Sequence, residues 1–241
     1  MKTPFTVLYE DETFIVINKP AGLLSIPDRY VPEKANLYHL LLATNEDIRI
    51  VHRLDRETSG IICFAKTEDA HKHLCKQFEE RNIQKYYLAL VDGHPNPEEG
   101  SIDRPIAKHP SKSGKMMVSN RGKEALTTYK ILDKFQHFSL VDISIHTGRT
   151  HQIRVHFQGI GHSLAVDPLY GKREAFFLSE IKRKAFRIGK DQEERPLLSR
   201  TSLHASRLIL SHPESEESIE FEAPLPKDLQ AVIKQLNKWG K

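Results

Sequence analysis

The densest cluster of side chains able to do chemistry is HRLDRETSGIICFAK, residues 52–66. Arg53 and Asp55 stand two positions apart, so in an extended segment both project to the same side. Arg56, Glu57, Thr58, Ser59 and Gly60 then read as a polar turn before the apolar strand IICFAK. An acid and a base are thereby held at the lip of a strand. A carboxylate kept ionised there by a neighbouring cation can act as a nucleophile or as a base. An Arg–Asp bridge that merely pins a loop uses the same residue types, and this stretch alone leaves both uses open. Asp55 and Glu57 also form a carboxylate pair of the kind a glycosidase or nuclease needs. Alternate residues on a strand-to-turn segment are poorly placed to flank a scissile bond.

A second cluster is HTGRTHQIRVH, residues 146–156. Gly148 permits a tight turn, and Arg149 and Thr150 follow at a predicted helix N-terminus, where free N–H groups and the helix dipole favour an anion such as phosphate. The helix is predicted over 150–160, capped by Thr150, with Ile153, Phe157 and Ile160 as its apolar stripe. His151, Arg154 and Gln158 then share the opposite face, where Arg154 reads equally as a surface charge or a functional cation. Histidines 146, 151, 156 and 162 fall at steps that do not gather imidazoles on one helical face, and no acidic or thiol ligands accompany them, so no metal site is expected. In KYYLALVDG, residues 85–93, Tyr87 shares one face with Lys85, Ala89 and Val91. The small neighbours leave room for a flat ring to stack on the phenol, although a core tyrosine fits the same pattern.

These residues need a frame. Val7–Tyr9 and Phe14–Asn18 flank the polar turn EDE and predict a hairpin. Residues 67–81 carry Thr67 and acidic residues at the start and Ala70, Leu74 and Phe78 at four-residue steps, which predicts an amphipathic helix. KYYLALV is a strand. Thr127–Lys134 and His137–Ile145 alternate and predict two paired strands, with Val141, Ile143 and Ile145 on one face. Ala205–Leu210 and Ser218–Glu222 read as strands, and Leu229, Val232, Ile233 and Leu236 mark a closing helix introduced by Pro226. Helices and strands are interspersed without a steady βαβ rhythm, which predicts an α+β fold with a mixed, largely antiparallel sheet and flanking helices.

The chain has 241 residues, no repeat and no Gly/Ser linker, and is expected to form one domain over 1–241. No apolar run reaches membrane-spanning length and the N-terminus lacks a secretory signal, so a cytoplasmic location is expected. Cys63 and Cys75 have neither zinc-site nor disulfide spacing and are expected to be buried thiols. The formal net charge is only +4, but it is unevenly spread. Arg104 to Lys123 contains six basic residues (Arg104, Lys108, Lys112, Lys115, Arg121, Lys123) and no acidic one. Lys172 to Lys190 contains seven basic residues against two acidic. Either segment alone is ordinary solvated charge; two in one modest chain favour a polyanion.

Taken together, the motifs resemble the RluA-type pseudouridine synthase family. HRLDRETSG is similar to its catalytic motif, KYYLALVDG to its tyrosine motif, HTGRTHQIRVH to its basic motif and VLYEDETFIVINKPAGLLSIP to its N-terminal segment, in matching order and spacing. The resemblance extends to LHASRLIL and FEAPLP and covers nearly the whole chain. Within that family it looks closest in type to the stand-alone members, in which no S4-type module is expected before the catalytic domain. The resemblance implies that Asp55 is the nucleophilic or proton-abstracting carboxylate, with Arg154 as its ion-pair partner. It likewise implies that Tyr87 stacks on the target base and that Arg53 helps hold a flipped nucleotide, with Arg149, Thr150 and His151 as further substrate-binding positions. It implies an isomerase without cofactor or metal that modifies a stem-loop of ribosomal RNA, transfer RNA or both, not DNA and not a membrane component, as a monomer. A non-catalytic RNA-binding protein is the main rival from another class, and the intact set Arg53, Asp55, Tyr87 and Arg154 argues against it. The sequence departs from the family pattern in GHSLAVDPLYG, residues 161–171, where Ser163 and Val166 replace the usual proline and glycine. The segment 174–199 is also longer and more charged than in the shortest relatives.

Overall fold

The structure, a computed structural model, describes residues 4–189 and 193–240. Its first two strands, β1 (Thr6–Glu10) and β2 (Phe14–Lys19), form the expected antiparallel hairpin, with Thr6 opposite Asn18 and Glu10 opposite Ile15. Asp11 closes the turn by accepting from the backbone N–H groups of Thr13 (2.7 Å) and Phe14 (2.9 Å). Helix α1 (Leu37–Leu42) is capped by Asn36, and a two-residue strand β3 (Arg49–Ile50) precedes β4 (Ser59–Ala65), every residue of which is buried. Helix α2 (Glu68–Glu79) starts where the sequence predicts. Thr67 accepts from the N–H of Ala70, and Glu68 and Asp69 lie at the positive end of the helix dipole. Strand β5 (Gln84–Asp92) follows.

The middle of the chain adds β6 (Glu99–Asp103), β7 (Ile106–Lys108), β8 (Met116–Val118), β9 (Leu126–Lys134) and β10 (Phe138–Ile145). Strands β9 and β10 pair antiparallel as expected, and Val141, Ile143 and Ile145 are buried together. Helices α3 (Gln152–Gly159) and α4 (Leu178–Lys182) come next, then β11 (Leu203–Ser211), β12 (Ser218–Glu222) and the closing helix α5 (Lys227–Trp239) behind Pro226. Among the described residues no helix is long and apolar enough to cross a membrane.

The chain forms two compact units, each discontinuous in sequence: residues 1–87 with 204–224, and residues 88–203 with 225–241. In the first unit the strand order is β1-β2-β4-β11, with β12 on β11 and β3 on β4. Strand β4 is antiparallel to β2 (Phe14 opposite Ala65, Lys19 opposite Gly60) and parallel to β11 (His204 opposite Ser59, Ala205 opposite Gly60). Phe14, Val16, Ile61, Cys63, Leu74 and Leu208 fill its core. In the second unit β5, β10, β9 and β6 are neighbours in that order, and Leu90, Phe138, Val166, Phe176, Val232 and Leu236 are among its core residues. The sheet is thus mixed and mostly antiparallel, in an α+β fold, as the sequence predicts. Cys63 is a buried thiol, but Cys75 is only half-buried, because its helix position faces partly outward and its Sγ lies 3.4 Å from His71 Nε2.

Gly60 carries the closest approach in the first unit. Its φ is +111°, and a Cβ there would stand 2.0 Å from the carbonyl oxygen of Ala205. Backbone strain and backbone overlap act together, so Gly60→Ala should destabilise the chain by roughly 3 kcal/mol or more, read as a lower urea midpoint.

Candidate active site

Asp55 lies in the extended stretch between β3 and β4, half-buried, with Arg53 exposed beside it. Its backbone neighbours are tied on both sides. Leu54 donates its N–H to Ser25 Oγ (3.1 Å), and the same hydroxyl donates back to the Leu54 carbonyl (2.9 Å). The Arg56 carbonyl accepts from Gly22 N–H (2.9 Å), while Arg56 Nε donates to the Gly22 carbonyl (3.0 Å). Thr58 N–H donates to the Asp55 carbonyl (3.1 Å), closing the turn that the polar run predicts. Lys19 holds the arrangement together. It has no exposed surface, and its ammonium donates to the carbonyls of Pro20 (2.9 Å), Leu23 (2.8 Å) and Arg56 (3.1 Å). Three acceptors match its three protons, which is how a lysine can be taken out of water.

Tyr87, on β5, is almost fully buried. Burial, and after it the negative charge of Asp55, pushes its phenol above the ordinary tyrosine range, so it is a neutral hydroxyl at physiological pH. Two residues earlier, Lys85 lies over the Phe78 ring at 5.5 Å, and His52 stacks on Phe78 with centroids 4.6 Å apart. Burial first and the Lys85 charge second push the His52 pKa down to about 3; burial and Arg81 push that of Lys85 down to about 8. The neutral imidazole accepts the N–H of Cys63 at Nε2 (3.0 Å), fixing the residue that begins the HRLD run to the middle of β4.

In the second unit the basic motif departs from the expected helix. Helix α3 begins at Gln152, not at Thr150, and Thr150 is exposed and does not cap it. His151 occupies the cap position in the left-handed region (φ 55°) without a side-chain cap bond. Gln152 instead reaches back, its Oε1 accepting from Thr147 Oγ1 (2.7 Å) and Arg149 N–H (3.0 Å) and its Nε2 donating to the Leu126 carbonyl (3.0 Å). Of the predicted polar face, Gln158 is exposed and His151 half-buried, but Arg154 is buried, as is every residue from Gln152 to Phe157. Ile160 lies beyond the helix. Arg154 is buried because Asp167, itself without exposed surface, takes it bidentately: Nε to Oδ2 at 2.7 Å and Nη2 to Oδ1 at 2.8 Å. Asp167 Oδ1 also accepts the N–H groups of Leu169 (2.9 Å) and Tyr170 (3.0 Å), and the Tyr170 ring lies 4.9 Å from the guanidinium. The Tyr170 hydroxyl pairs with His151 Nδ1 (2.8 Å) and accepts Met116 N–H (2.8 Å).

Arg149 is half-buried and donates from Nε to the Glu124 carbonyl (2.9 Å). Strands β7 and β8 form a separate antiparallel ribbon, pinned at its base by mutual bonds between Ile106 and Lys123 (both 2.9 Å). Its turn is held from within, His109 N–H donating to the Lys115 carbonyl (2.9 Å) and His109 Nδ1 accepting from Lys112 N–H (3.2 Å). Arg104, Lys108, Lys112, Arg121 and Lys123 are exposed on this ribbon and its flanks, and Lys115 lies over Tyr170 at 5.2 Å. In the second basic segment Lys190 falls outside the described residues.

Sequence reasoning missed Lys19, Gln152, Asp167 and Tyr170. Asp167 and Tyr170 lie in GHSLAVDPLYG, which drew notice only for its departures. Both departures are absorbed: Val166 is fully buried in the core and Ser163 Oγ donates to the Tyr170 carbonyl (3.0 Å). Lys19 stood in the N-terminal segment VLYEDETFIVINKPAGLLSIP, where no local pattern marks it as buried.

Two outcomes follow from this geometry. Lys19→Met strands three carbonyl acceptors in the interior and should cost roughly 2–4 kcal/mol in urea unfolding. His52 titrates near 6.5 when unfolded but only at about 3 when folded. Its contribution is therefore complete above pH 6.5 and is lost as pH falls from about 6.5 toward 3, by up to about 1.4 kcal/mol per pH unit. Unfolding measured at pH 7, 5.5 and 4.5 should show a shallower acid loss in His52→Gln than in the parent chain.

Comparison with known proteins matches these residues to one family. The profile described as RNA pseudouridylate synthase matches residues 13–159. The ribosomal large subunit pseudouridine synthase D of Zymomonas mobilis is 37% identical over 244 residues, covering 97% of this chain and 73% of that protein. The protein of the same name from Nitrosomonas europaea is 39% identical, covering 97% of this chain and 65% of its own length. Among solved structures, human RNA pseudouridylate synthase domain containing 4 superposes with a TM-score of 0.71 at 25% identity, covering 96% of this chain and 92% of that one. Since the matched stretch includes the Asp55 loop, the Tyr87 strand and the Arg154 helix, the chain belongs to the RluA-type RNA pseudouridylate synthases, isomerases that act on RNA.

Proposed function

We propose that residues 1–241 act as one catalytic domain that converts specific uridines of ribosomal RNA to pseudouridine, with Asp55 as the catalytic carboxylate. The observation that carries this reading is the clamped, half-open position of Asp55, whose charge is felt by the buried Tyr87 phenol. The isomerisation breaks the bond from C1′ to N1, turns the uracil and rejoins it through C5. Nothing is oxidised and no outside group is transferred, so the stoichiometry needs no cofactor. Asp55 either attacks C1′ or removes the C2′ proton, and a carboxylate serves both routes. Tyr87 is assigned to stack on the base, and Arg154, oriented by Asp167, is assigned as the cation that keeps the carboxylate ionised.

A base inside a helix is out of reach, so the uridine is flipped from a loop or bulge, at a cost of a few kcal/mol. Arg53, exposed beside Asp55, is assigned to hold the displaced nucleotide, and Arg149, Thr150 and His151 to add further contacts. The exposed cations of the β7–β8 ribbon offset the cost through phosphates. Ribosomal RNA is favoured because both bacterial relatives above bear that name; a transfer RNA stem-loop is the second reading, and the protein works as a cytoplasmic monomer.

Tritium release from RNA labelled at uridine C5 tests the assignment. Asp55→Asn should keep RNA affinity and lose turnover by roughly three orders of magnitude or more. Arg154→Ala should lose roughly a hundredfold. Lys112→Ala should instead weaken binding and flatten its salt dependence by about 0.7–0.9 in log–log slope. Normal release from Asp55→Asn overturns the proposal, and mapping pseudouridines in cells with and without the protein identifies the RNA.

A further inference from the structure

Helix α5 buries Leu229, Val232 and Leu236 against a core that includes Ile181 of α4, yet its last residue, Trp239, stands outside that core with 42% of its surface exposed. It is the only tryptophan in the chain. Two ammonium groups from different helices lie over the indole, Lys182 Nζ at 5.0 Å and Lys238 Nζ at 5.3 Å. A 3₁₀ turn, Arg183–Ala185, continues directly from α4 and carries Lys184 exposed. Arg187, also exposed, folds back onto the carbonyls of Lys184 (2.7 Å) and Phe186 (2.9 Å). Residues 181–189 hold four basic side chains and no carboxylate, and residues 229–240 hold Lys234 and Lys238 and no carboxylate. The end of α5 itself is a poor place for an anion, because carbonyls point outward there. The cations more than reverse that polarity.

A large aromatic ring partly left in water, with ammonium groups from two helices over it and further cations along the chain beside one of them, has the composition of a surface for single-stranded nucleic acid. The ring takes a base and the cations take the phosphates on either side. An exposed ammonium resting over a ring is weakly held, and base stacking exceeds it, so an arriving base displaces a lysine that can swing onto phosphate. We propose that Trp239, with Lys182, Lys184, Arg187 and Lys238, forms an auxiliary docking site for a single-stranded stretch of the RNA substrate. The site lies on α4, α5 and the segment between Lys182 and Arg187, none of which the chemistry assigned to Asp55 uses. The proposal rests on the chain acting on RNA, not on which residue performs the isomerisation.

Because Trp239 is the sole tryptophan, the emission of the intact chain reports on this surface alone. Titration with an oligouridylate of about a dozen nucleotides should quench that emission to saturation. Anisotropy of the end-labelled oligonucleotide should give the same midpoint. W239A should weaken binding by roughly tenfold, the effect of losing one stacked base, while W239F restores most of it. K182A/K184A should flatten the log–log salt dependence by about 1.4, or 0.7 per cation on a single strand. Tritium release at saturating RNA should be unchanged in W239A, which separates this site from the catalytic assignment. The proposal is overturned if the oligonucleotide fails to bind, or binds by anisotropy without altering the emission. It is equally overturned if phosphatidylserine vesicles shift the emission and RNA does not.

Discussion

One buried cation governs the geometry of the first unit. The Lys19 ammonium, wholly removed from water, is satisfied by the carbonyls of Pro20, Leu23 and Arg56, and so fastens the turn after β2 to the loop that carries Asp55. Such a charge is tolerated only when all its protons find acceptors, and each acceptor is thereby fixed in place. Ser25 and Gly22 add their own bonds on either side of Asp55. A side chain on a loop is precisely placed only if its backbone cannot drift, and here the backbone is tied on both sides of Asp55.

The second unit solves the same problem differently. Arg154 is oriented by a planar, two-point match to Asp167, which is in turn fixed by two backbone N–H groups of its own turn. Gln152 replaces the expected threonine cap by reaching back to Thr147 and Arg149. Both devices put polar groups inside the protein, where geometry is sharper than at the surface because an unmet bond is expensive there.

Much of this was legible in the sequence, and the pattern of what was not is instructive. The β1–β2 hairpin, α2 and the β9–β10 pair follow from local periodicity and capping, and each appears within a residue or two of its expected bounds. The start of α3 was misread because Thr150 is a good cap by type. The chain turns through His151 in a left-handed conformation instead, which a sequence reading assigns to glycine or asparagine first. Strand β3 is too short to leave a periodic signal. Lys19, Asp167 and Tyr170 escaped because their partners lie far along the chain or in a segment with no repeating pattern, and a buried lysine looks like any other until its acceptors are seen. The burial of Arg154 escaped for the same reason: its partner was not yet visible.

The ribbon of β7 and β8 has a further implication for redesign. Its base is closed by the Ile106–Lys123 bonds, and Gly122 lies so close to Ile106 that a Cβ would approach its carbonyl carbon to 2.4 Å. The tip, from His109 to Lys115, closes mainly upon itself. Foundation and fingertip are therefore separable modules. Tips of other length or charge can be grafted between Lys108 and Lys115 while Lys115 keeps its place over Tyr170, making the outer end of this ribbon a port for varying surface charge.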